Sequence, residues 1–203
     1  DTNGTAVVAG DVARLAISAI VGAVSNRIDM AYAAQNSGAS ATGLSFTTQD
    51  DGFSMSANKI IGGLSFWADM GNSNFENNQT FTNVRLDSMN FDGDASSYSM
   101  GVDKAFGNLL VGAVISNLDT NITTTFNSGT YKQDVSTMGL YIAYKTGMFQ
   151  IDLGTGTGES DISTTRKDLG NDTIISGKTT ADIDYQHARV AANFSRGRFT
   201  LVP

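Results

Sequence analysis

Most of the chain carries a hydrophobic pattern with a period of two. From residue 59 onwards, apolar side chains occupy every second position of several segments, and small or polar side chains fill the positions between them. In the segment SYSMGVDKAF, for example, Met100 and Val102 alternate with Gly101 and Asp103. Such alternation predicts antiparallel strands that cover only one face with apolar side chains. The pattern predicts about eight strands.

Glycine-containing turns and polar segments separate these strands. Tight turns are predicted at Phe106-Gly107-Asn108, at Thr146-Gly147-Met148 and at Arg196-Gly197-Arg198. Much longer polar loops are predicted at the other strand ends, over 117–129 and 159–177. Short turns on one side and long loops on the other are typical of outer-membrane barrels, whereas a soluble sandwich spreads its loop lengths more evenly.

The two faces of the predicted sheet differ in their charge. In a soluble barrel the inward face is apolar and the outward face carries the charges. Here the apolar face holds Lys104 as its exception, beside a tight turn where an ammonium reaches a membrane interface. The opposite face carries small residues together with Asp103, Asp152 and Arg189. The pattern therefore favours an all-β fold, an antiparallel transmembrane β-barrel with its apolar face toward lipid, over a soluble β-protein.

The first part of the chain has a helical period instead. Apolar residues such as Ile17, Ile20, Val24 and Ile28 recur at helical spacing, which predicts a helix from Asp11, its N-cap, to about residue 35. An ordinary amphipathic helix packed on a core fits this pattern equally well. The run 12–24 is too short for a membrane-spanning helix, and Arg14 interrupts it.

We therefore expect three regions along the chain. These are an N-terminal linker and helix at 1–35, a small and polar linker at 36–58, and the β-barrel region at 59–203. No apolar stretch led by Lys or Arg opens the chain, so Asp1 is expected to begin a mature fragment.

Composition narrows the classes of function. The formal net charge is −7, which argues against binding to nucleic acid through counterion release. The absence of cysteine excludes disulfides, thiolate metal sites and cysteine nucleophiles. The chain has 22 glycines and one proline, a bias typical of many short strands with tight turns and close backbone contacts.

The chemistry-bearing motifs are few. His187 is the single histidine, so a Ser-His-Asp triad would have to use it, near Asp182 and Asp184. A lumen or rim residue is the plainer interpretation. The segment GTGTG at 154–158 lacks the Lys-Ser/Thr end of a phosphate loop, and Asp92-Gly93-Asp94 lacks the remaining ligands of a calcium loop. We therefore expect no enzyme, no catalytic residue, no metal and no cofactor.

The order of features resembles the C-terminal β-barrel translocator domain of bacterial autotransporters, the type V secretion family. A helix and a small-residue linker precede LSFWADMG, which is similar to the family's first strand with Trp-Ala. SYSMGVDKAFGNLLVGAVISN resembles the family's Gly-Val-Asp strand, tight turn and following strand. MGLYIAYKTGMFQIDLGTG resembles the next hairpin, and RGRFTLVP resembles the start of a later strand.

The resemblance implies a barrel of about twelve strands with the helix in its lumen, located in the bacterial outer membrane and exporting an N-terminally attached passenger. With about eight strands before Pro203, the chain is expected to be a fragment, truncated at its C-terminal end. The implied partners are outer-membrane lipid, the passenger, the barrel-assembly machinery and periplasmic chaperones. Some relatives cut their passenger free at an Asn-Asn pair, and here Asn26 precedes Arg27, so that pair is absent and self-cleavage is not assigned.

Candidate site residues follow from the faces of the strands and from the helix. The expected pore-helix residues are Arg14, Asn26 and Arg27, with the arginines meeting carboxylates such as Asp103 or Asp152. The expected lumen-facing residues are Trp67, Gly101, Asp103, Gly112, Asp152 and Arg189. The expected lipid-facing residues are Phe66, Val102, Leu109, Val111, Ile115, Ile142, Phe149 and Ile151.

Two other classes of function remain open on the sequence alone. One is an outer-membrane barrel enzyme or a porin. The other is a soluble β-rich adhesin or passenger fragment.

Overall fold

The computed structural model describes most of the chain. Its backbone covers residues 3–37, 43–49, 52–77, 90–125, 128–168, 170–192, 194–196 and 199–201. Side chains are described for the same residues except 3–16, 35–37, 43–47, 49, 77 and 194–201.

A single long helix, α1, opens the fold at Asn3–Ser37. The helix prediction is confirmed, but Asp11 is not its N-cap, because Asp11 lies inside the helix. Helix-compatible residues such as Ala6 and Ala9 continue the pattern upstream of Asp11, so the periodicity contains no stop signal at that point. Among the described residues, no helix combines the length and hydropathy needed to cross a membrane.

Eight strands form one antiparallel sheet in chain order, each paired with the next. Two further short strands, β9 and β10, pair with each other. The strands are β1 Gly43–Gln49, β2 Gly52–Ile61, β3 Leu64–Asn77, β4 Phe91–Phe106, β5 Leu109–Thr124, β6 Gly129–Thr146, β7 Phe149–Lys167, β8 Ile174–Ala192, β9 Phe194–Arg196 and β10 Phe199–Leu201.

Three tight turns lie at one end of the sheet. They join β2 to β3, β4 to β5 and β6 to β7. Gly107 and Gly147 have positive φ angles of 61° and 57°, a conformation that favours glycine. The turns predicted at 106–108 and 146–148 are thereby confirmed, whereas Gly197 and Arg198 of the third lie outside the described residues.

Two predictions about irregular segments are wrong. The loops expected at 117–129 and 159–177 are largely strand, since β5 continues to Thr124 and β7 to Lys167. The linker expected at 36–58 contains β1 and most of β2. Apolar residues are few in these segments, such as Leu118 and Ile122 on β5 and Phe53 and Met55 on β2, so the alternation is weak, but pairing along the whole register satisfies their backbone groups.

Helix α1 packs on one face of the sheet. Val24, Ile28 and Tyr32 of the helix form a buried apolar cluster with Trp67 on β3 and with residues of two further strands, which are Leu110 and Val114 on β5 and Tyr141 and Ala143 on β6. The other face of these strands carries exposed apolar side chains. The sheet thus has a helix-facing side, called the inner face below, and an opposite outer face.

Candidate functional site

A buried arginine of the helix is held by the inner face of the sheet. Arg27 is 4% exposed, and its Nε donates to Asp103 Oδ2 at 2.5 Å while its Nη2 donates to Asp103 Oδ1 at 2.8 Å. The same Nη2 donates to Ser65 Oγ at 2.7 Å, and that hydroxyl donates to Asn58. The bidentate geometry makes this a strong, directional ion pair between α1 and β4.

Two aromatic side chains position the carboxylate of Asp103. Trp67 Nε1 donates to the Tyr141 hydroxyl at 2.9 Å, and that hydroxyl donates to Asp103 Oδ2 at 2.8 Å. The two rings meet edge to face with their centroids 6.4 Å apart. Since these donors belong to the sheet alone, the sheet orients Asp103 independently of the helix.

Glycines make room for these two rings. Trp67 pairs in register with Gly101, and Tyr141 with Gly112. A Cβ on Gly101 would lie 2.4 Å from the Trp67 ring, and a Cβ on Gly112 would lie 2.2 Å from Tyr141 Cζ. Real Cβ atoms do not approach so closely, so both glycines are required where a ring crosses a neighbouring strand.

A second polar cluster contacts the helix from β7 and β8. Arg189 Nη2 donates to Asp29 Oδ1 at 2.7 Å and its Nη1 to Asp29 Oδ2 at 3.0 Å. Arg189 Nε donates to Asp152 Oδ2 at 2.7 Å, and Asp152 is fully buried. Gln150 Nε2 donates to both carboxylates, at 2.9 Å to Asp29 and 3.0 Å to Asp152. The helix is therefore bound by a second, bidentate ion pair.

The two ion pairs lie on opposite sides of the helix. Arg27 and Asp29 are separated by two residues, or about 200° around the helix axis. Yet one contacts β3 and β4 and the other contacts β7 and β8. Laid flat, six strands span about 24 Å, whereas a helix is about 10 Å across. The sheet must therefore curve around α1.

The side of Arg27 away from Asp103 borders a small cavity. Its lining includes Asn26 of the helix, Asn58 on β2 and Asp69 on β3. Arg27 Nη1 is buried and has no hydrogen-bond partner among the described residues. Asn26 itself is exposed, so it contributes to this cavity and not to the ion pair.

The predicted inner residues all lie on the helix-facing side, and the predicted lipid-facing residues all lie on the outer face. Arg14 belongs to the helix, but its side chain lies outside the described residues. Trp67, Asp103, Gly112 and Asp152 are buried, and Gly101 and Arg189 are partly buried. On the outer face, Val102 and Leu109 are partly exposed, and Phe66, Val111, Ile115, Ile142, Phe149 and Ile151 are exposed.

Sequence reasoning missed several members of the site, among them Asp29 and Gln150. Asp29 contacts a strand 160 residues away, a distance over which neither helical nor strand periodicity carries information. Gln150 had a usable signal, because it lies on the same inward alternation as Asp152.

The described residues do not assemble a catalytic triad at His187. Its ring lies over Gly154, whose added Cβ would lie 2.4 Å from His187 Cε1. Both ring nitrogens are buried and have no hydrogen-bond partner among the described residues. Asp182 and Asp184, expected near this ring, are on the outer face instead, since strand alternation separates even from odd positions of β8. Nor do the described residues contain a cluster of three or more metal-ligating side chains.

Comparison with known proteins gives one match. A family model described as the autotransporter β-domain matches residues 66–203, about two thirds of the chain. Searches of curated proteins and of solved structures gave no match to this chain. The match confirms the expected fold class, an antiparallel transmembrane β-barrel domain, and the structure shows the N-terminal helix, which lies outside the matched residues.

Proposed function

Because the chain belongs to the autotransporter β-domain family, we propose that it is the outer-membrane translocator and anchor of an autotransporter, which exports a passenger attached to its N-terminal end. The observation that carries the proposal is the band of apolar side chains on the outer face. Its members are exposed although they are large and hydrophobic, which indicates contact with lipid.

The band ends abruptly along the central strands. On β5 the outward side chains change from Ile115 to Asn117 and Asp119, and on β6 they change from Met138 to Ser136 and Asp134. Beyond this border the strands continue as polar extensions. A membrane-spanning strand needs about 10 residues, so the extensions reach well past a bilayer.

The border of the band runs obliquely across the sheet. On β4 the last apolar outward residue is Tyr98, whereas on β7 and β8 the last are Leu153 and Ala188. In register, Ala188 of β8 pairs with Leu153 of β7 and corresponds, four strands away, to Lys104 of β4, six residues nearer the turns than Tyr98. Six residues span about 20 Å along a strand, and four strand steps span about 19 Å across the sheet. A border parallel to a membrane therefore requires strands tilted by about 45°, close to the 35–45° of outer-membrane barrels.

The helix direction supports export of what precedes it. Near its C-terminal end, Tyr32 donates its hydroxyl proton to the carbonyl of Asn108 in the β4–β5 turn. The helix therefore runs from the polar extensions toward the tight turns. In outer-membrane barrels the tight turns are periplasmic, so the N-terminal end of α1 points to the cell exterior.

Aromatic and cationic side chains at the turn end fit a membrane interface. Tyr144, Phe149 and Phe106 are exposed there, and the ammonium of Lys104 lies 5.2 Å from the Phe106 ring centroid. Such residues anchor barrels at headgroup level. Family membership supports the remaining partners, namely outer-membrane lipid, the passenger, the barrel-assembly machinery and periplasmic chaperones. The proposed role is non-enzymatic.

Export can be tested on intact cells. An epitope is placed just before Asp1 in the natural full-length precursor, and protease is added from outside. We expect the epitope to be removed while the barrel stays protected. An epitope that survives until the outer membrane is broken would overturn the proposal. Heat-modifiable migration on a gel serves as the control for a folded barrel.

A further inference from the structure

The two ion pairs that bind α1 to the sheet have opposite polarity. On the side of β4 the helix supplies the cation, Arg27, and the sheet supplies the anion, Asp103. On the side of β8 the helix supplies the anion, Asp29, and the sheet supplies the cation, Arg189. Arg27 and Asp29 are also the only two charged residues between Arg14 and Asp50. No other charge within this stretch can compete for the same partners.

The two charges on the sheet are fixed without the helix. Asp103 accepts a hydrogen bond from Tyr141, and Arg189 donates to the fully buried Asp152 on the neighbouring strand. The inner face therefore presents a preformed negative position and a preformed positive position at nearly opposite sides of its lumen. Preformed partners favour one orientation of the helix strongly over others, because little reorganisation of the sheet is needed when the helix binds.

Only one orientation of the helix satisfies both positions. A half turn about the helix axis directs Asp29 toward Asp103, where two carboxylates meet, and Arg27 toward Arg189, whose charge is already balanced by Asp152, so that neither charge of the helix finds a free partner of opposite sign. Shifting the helix by one turn moves its side chains about 5.4 Å along the axis, which separates both pairs. Apolar packing alone distinguishes less between rotations of α1, because the side of α1 that faces away from the sheet carries small or uncharged residues such as Gly22, Asn26 and Ala33, which could also pack on it.

We propose that these two ion pairs of opposite polarity set the rotation and the depth of α1 within the barrel. Arg27, Asp29, Asp103 and Arg189 are positioning residues in this role. The inference rests on the proposed function in one respect, that the helix occupies the lumen of a translocator. Arg27–Asp103 carries most of the discrimination because both side chains are buried, at 4% and 1% exposed, whereas Arg189 and Asp29 are 31% and 52% exposed.

The test measures helix orientation by cross-linking. The chain contains no cysteine, so introduced pairs are the only thiols. One pair is Val24→Cys with Val114→Cys, two positions in the shared apolar cluster of α1 and β5. The matched pair is Asn26→Cys with Val114→Cys, because Asn26 lies about 200° from Val24 around the helix. A short bifunctional thiol reagent is applied to the protein folded in detergent, with heat-modifiable migration as the folding control.

Three helices are compared on the unchanged barrel sequence. They are the natural helix, the neutral variant R27Q/D29N and the swapped variant R27D/D29R, all of which have the same net charge. With the natural helix, the 24–114 product should exceed the 26–114 product by about tenfold or more, because a buried carboxylate without its cation is strongly disfavoured. The neutral variant should lower this ratio, and the swapped variant should lower it further or reverse it.

The outcomes distinguish the role of the ion pairs from the proposed function. If folded neutral and swapped variants both keep the natural ratio, apolar packing sets the orientation of α1 and the proposed role of the ion pairs is wrong. If the swapped variant does not fold, the neutral variant still decides. If the natural helix shows no preference for the 24–114 product, α1 does not bind the inner face in the orientation that the structure shows, and the proposal is wrong. Export is tested separately by the surface epitope. If the epitope is not exported but the cross-linking pattern is as expected, the proposed function is wrong and the role of the ion pairs still holds.

Discussion

At the scale of single residues, the buried guanidinium of Arg27 makes the fold dependent on one partner. Asp103 is 3% exposed, and its carboxylate receives hydrogen bonds from Arg27 and Tyr141. Removing one member of a buried pair leaves an uncompensated charge, which costs more than the pair contributes. The effect of this ion pair on stability is therefore largest when only one of its two residues is replaced.

We expect Arg27→Gln to lower the free energy of unfolding by about 3–5 kcal/mol. The physical reason is that Asp103 stays buried without a cation. The measurement is urea unfolding of the barrel in detergent, followed by heat-modifiable migration. Lys167→Gln is the matched control, because the Lys167–Asp172 pair is 44% and 83% exposed and should contribute about 1 kcal/mol or less. Equal effects of the two substitutions would contradict the assignment.

Gly112 tests the contact between ring and backbone at the same place. In Gly112→Ala, the new Cβ would lie 2.2 Å from Tyr141 Cζ, so Tyr141 must move and release Asp103. We expect a loss of about 1–3 kcal/mol in the free energy of unfolding. Gly22→Ala is the control, since nothing lies within 4 Å of its added Cβ and alanine favours a helix. A Gly112→Ala variant as stable as the parent would show that the ring is not confined.

At the scale of elements, the sequence predicted what local periodicity can encode. The strands near the turns alternate apolar and small residues, and the turns need glycine, so both were correctly predicted. The inward placement of Asp103 and Asp152 followed from the same alternation. The partner of Asp103 did not follow, because Arg27 is 76 residues away and the docking of α1 depends on the whole inner surface.

The polar extensions of the strands show why the loops were mispredicted. There the outer face carries Asp119, Asp134 and Asp161 at directly neighbouring positions of β5, β6 and β7. The outer face there is polar, and on the inner face apolar residues such as Leu118, Ile122 and Val135 are interrupted by polar ones, so the alternation that reveals a strand in a sequence is weak. Backbone pairing holds these segments in strands although like charges lie side by side, which disfavours the pairing locally.

This row of carboxylates, outside the membrane-spanning segments, predicts a pH dependence. The hydrogen bond shared with Asp119, together with partial burial and nearby negative charge, raises the pKa of Asp134. A raised pKa means that the stability contributed by this group is complete below the ordinary aspartate pKa of about 3.9 and is lost as pH rises through the raised value.

Asp134→Asn should therefore stabilise the protein at neutral pH, by about 0.5 kcal/mol or less. The gain should disappear near pH 3, where the parent residue is protonated. Unfolding curves of parent and variant at both pH values provide the measurement. Asp172→Asn is the control, since Asp172 lies in the β7–β8 connection beside Lys167 and not in the row. A gain that persists at pH 3 would exclude charge repulsion as its cause.

At the scale of the whole molecule, the outer face has an apolar part near the tight turns and a polar part beyond the border, and the proposed function places only the apolar part in contact with lipid. The oblique border makes this division specific, because it predicts the environment of each outward residue on each strand. Ile142 and Ser136 illustrate it: both are exposed on the outer face of β6, six residues apart. Ile142 lies within the band and Ser136 lies beyond its border.

Arginine placed at these two positions should have opposite consequences. Ile142→Arg moves a guanidinium into the hydrocarbon region and should cost about 2–4 kcal/mol in the stability of the lipid-embedded barrel. Ser136→Arg places the same group among headgroups and near Asp119 and Asp134, where the cost should be close to zero. Unfolding of both variants in liposomes measures the difference. Because the side chain, strand and face are the same, equal costs would mean that the border does not mark the edge of the bilayer.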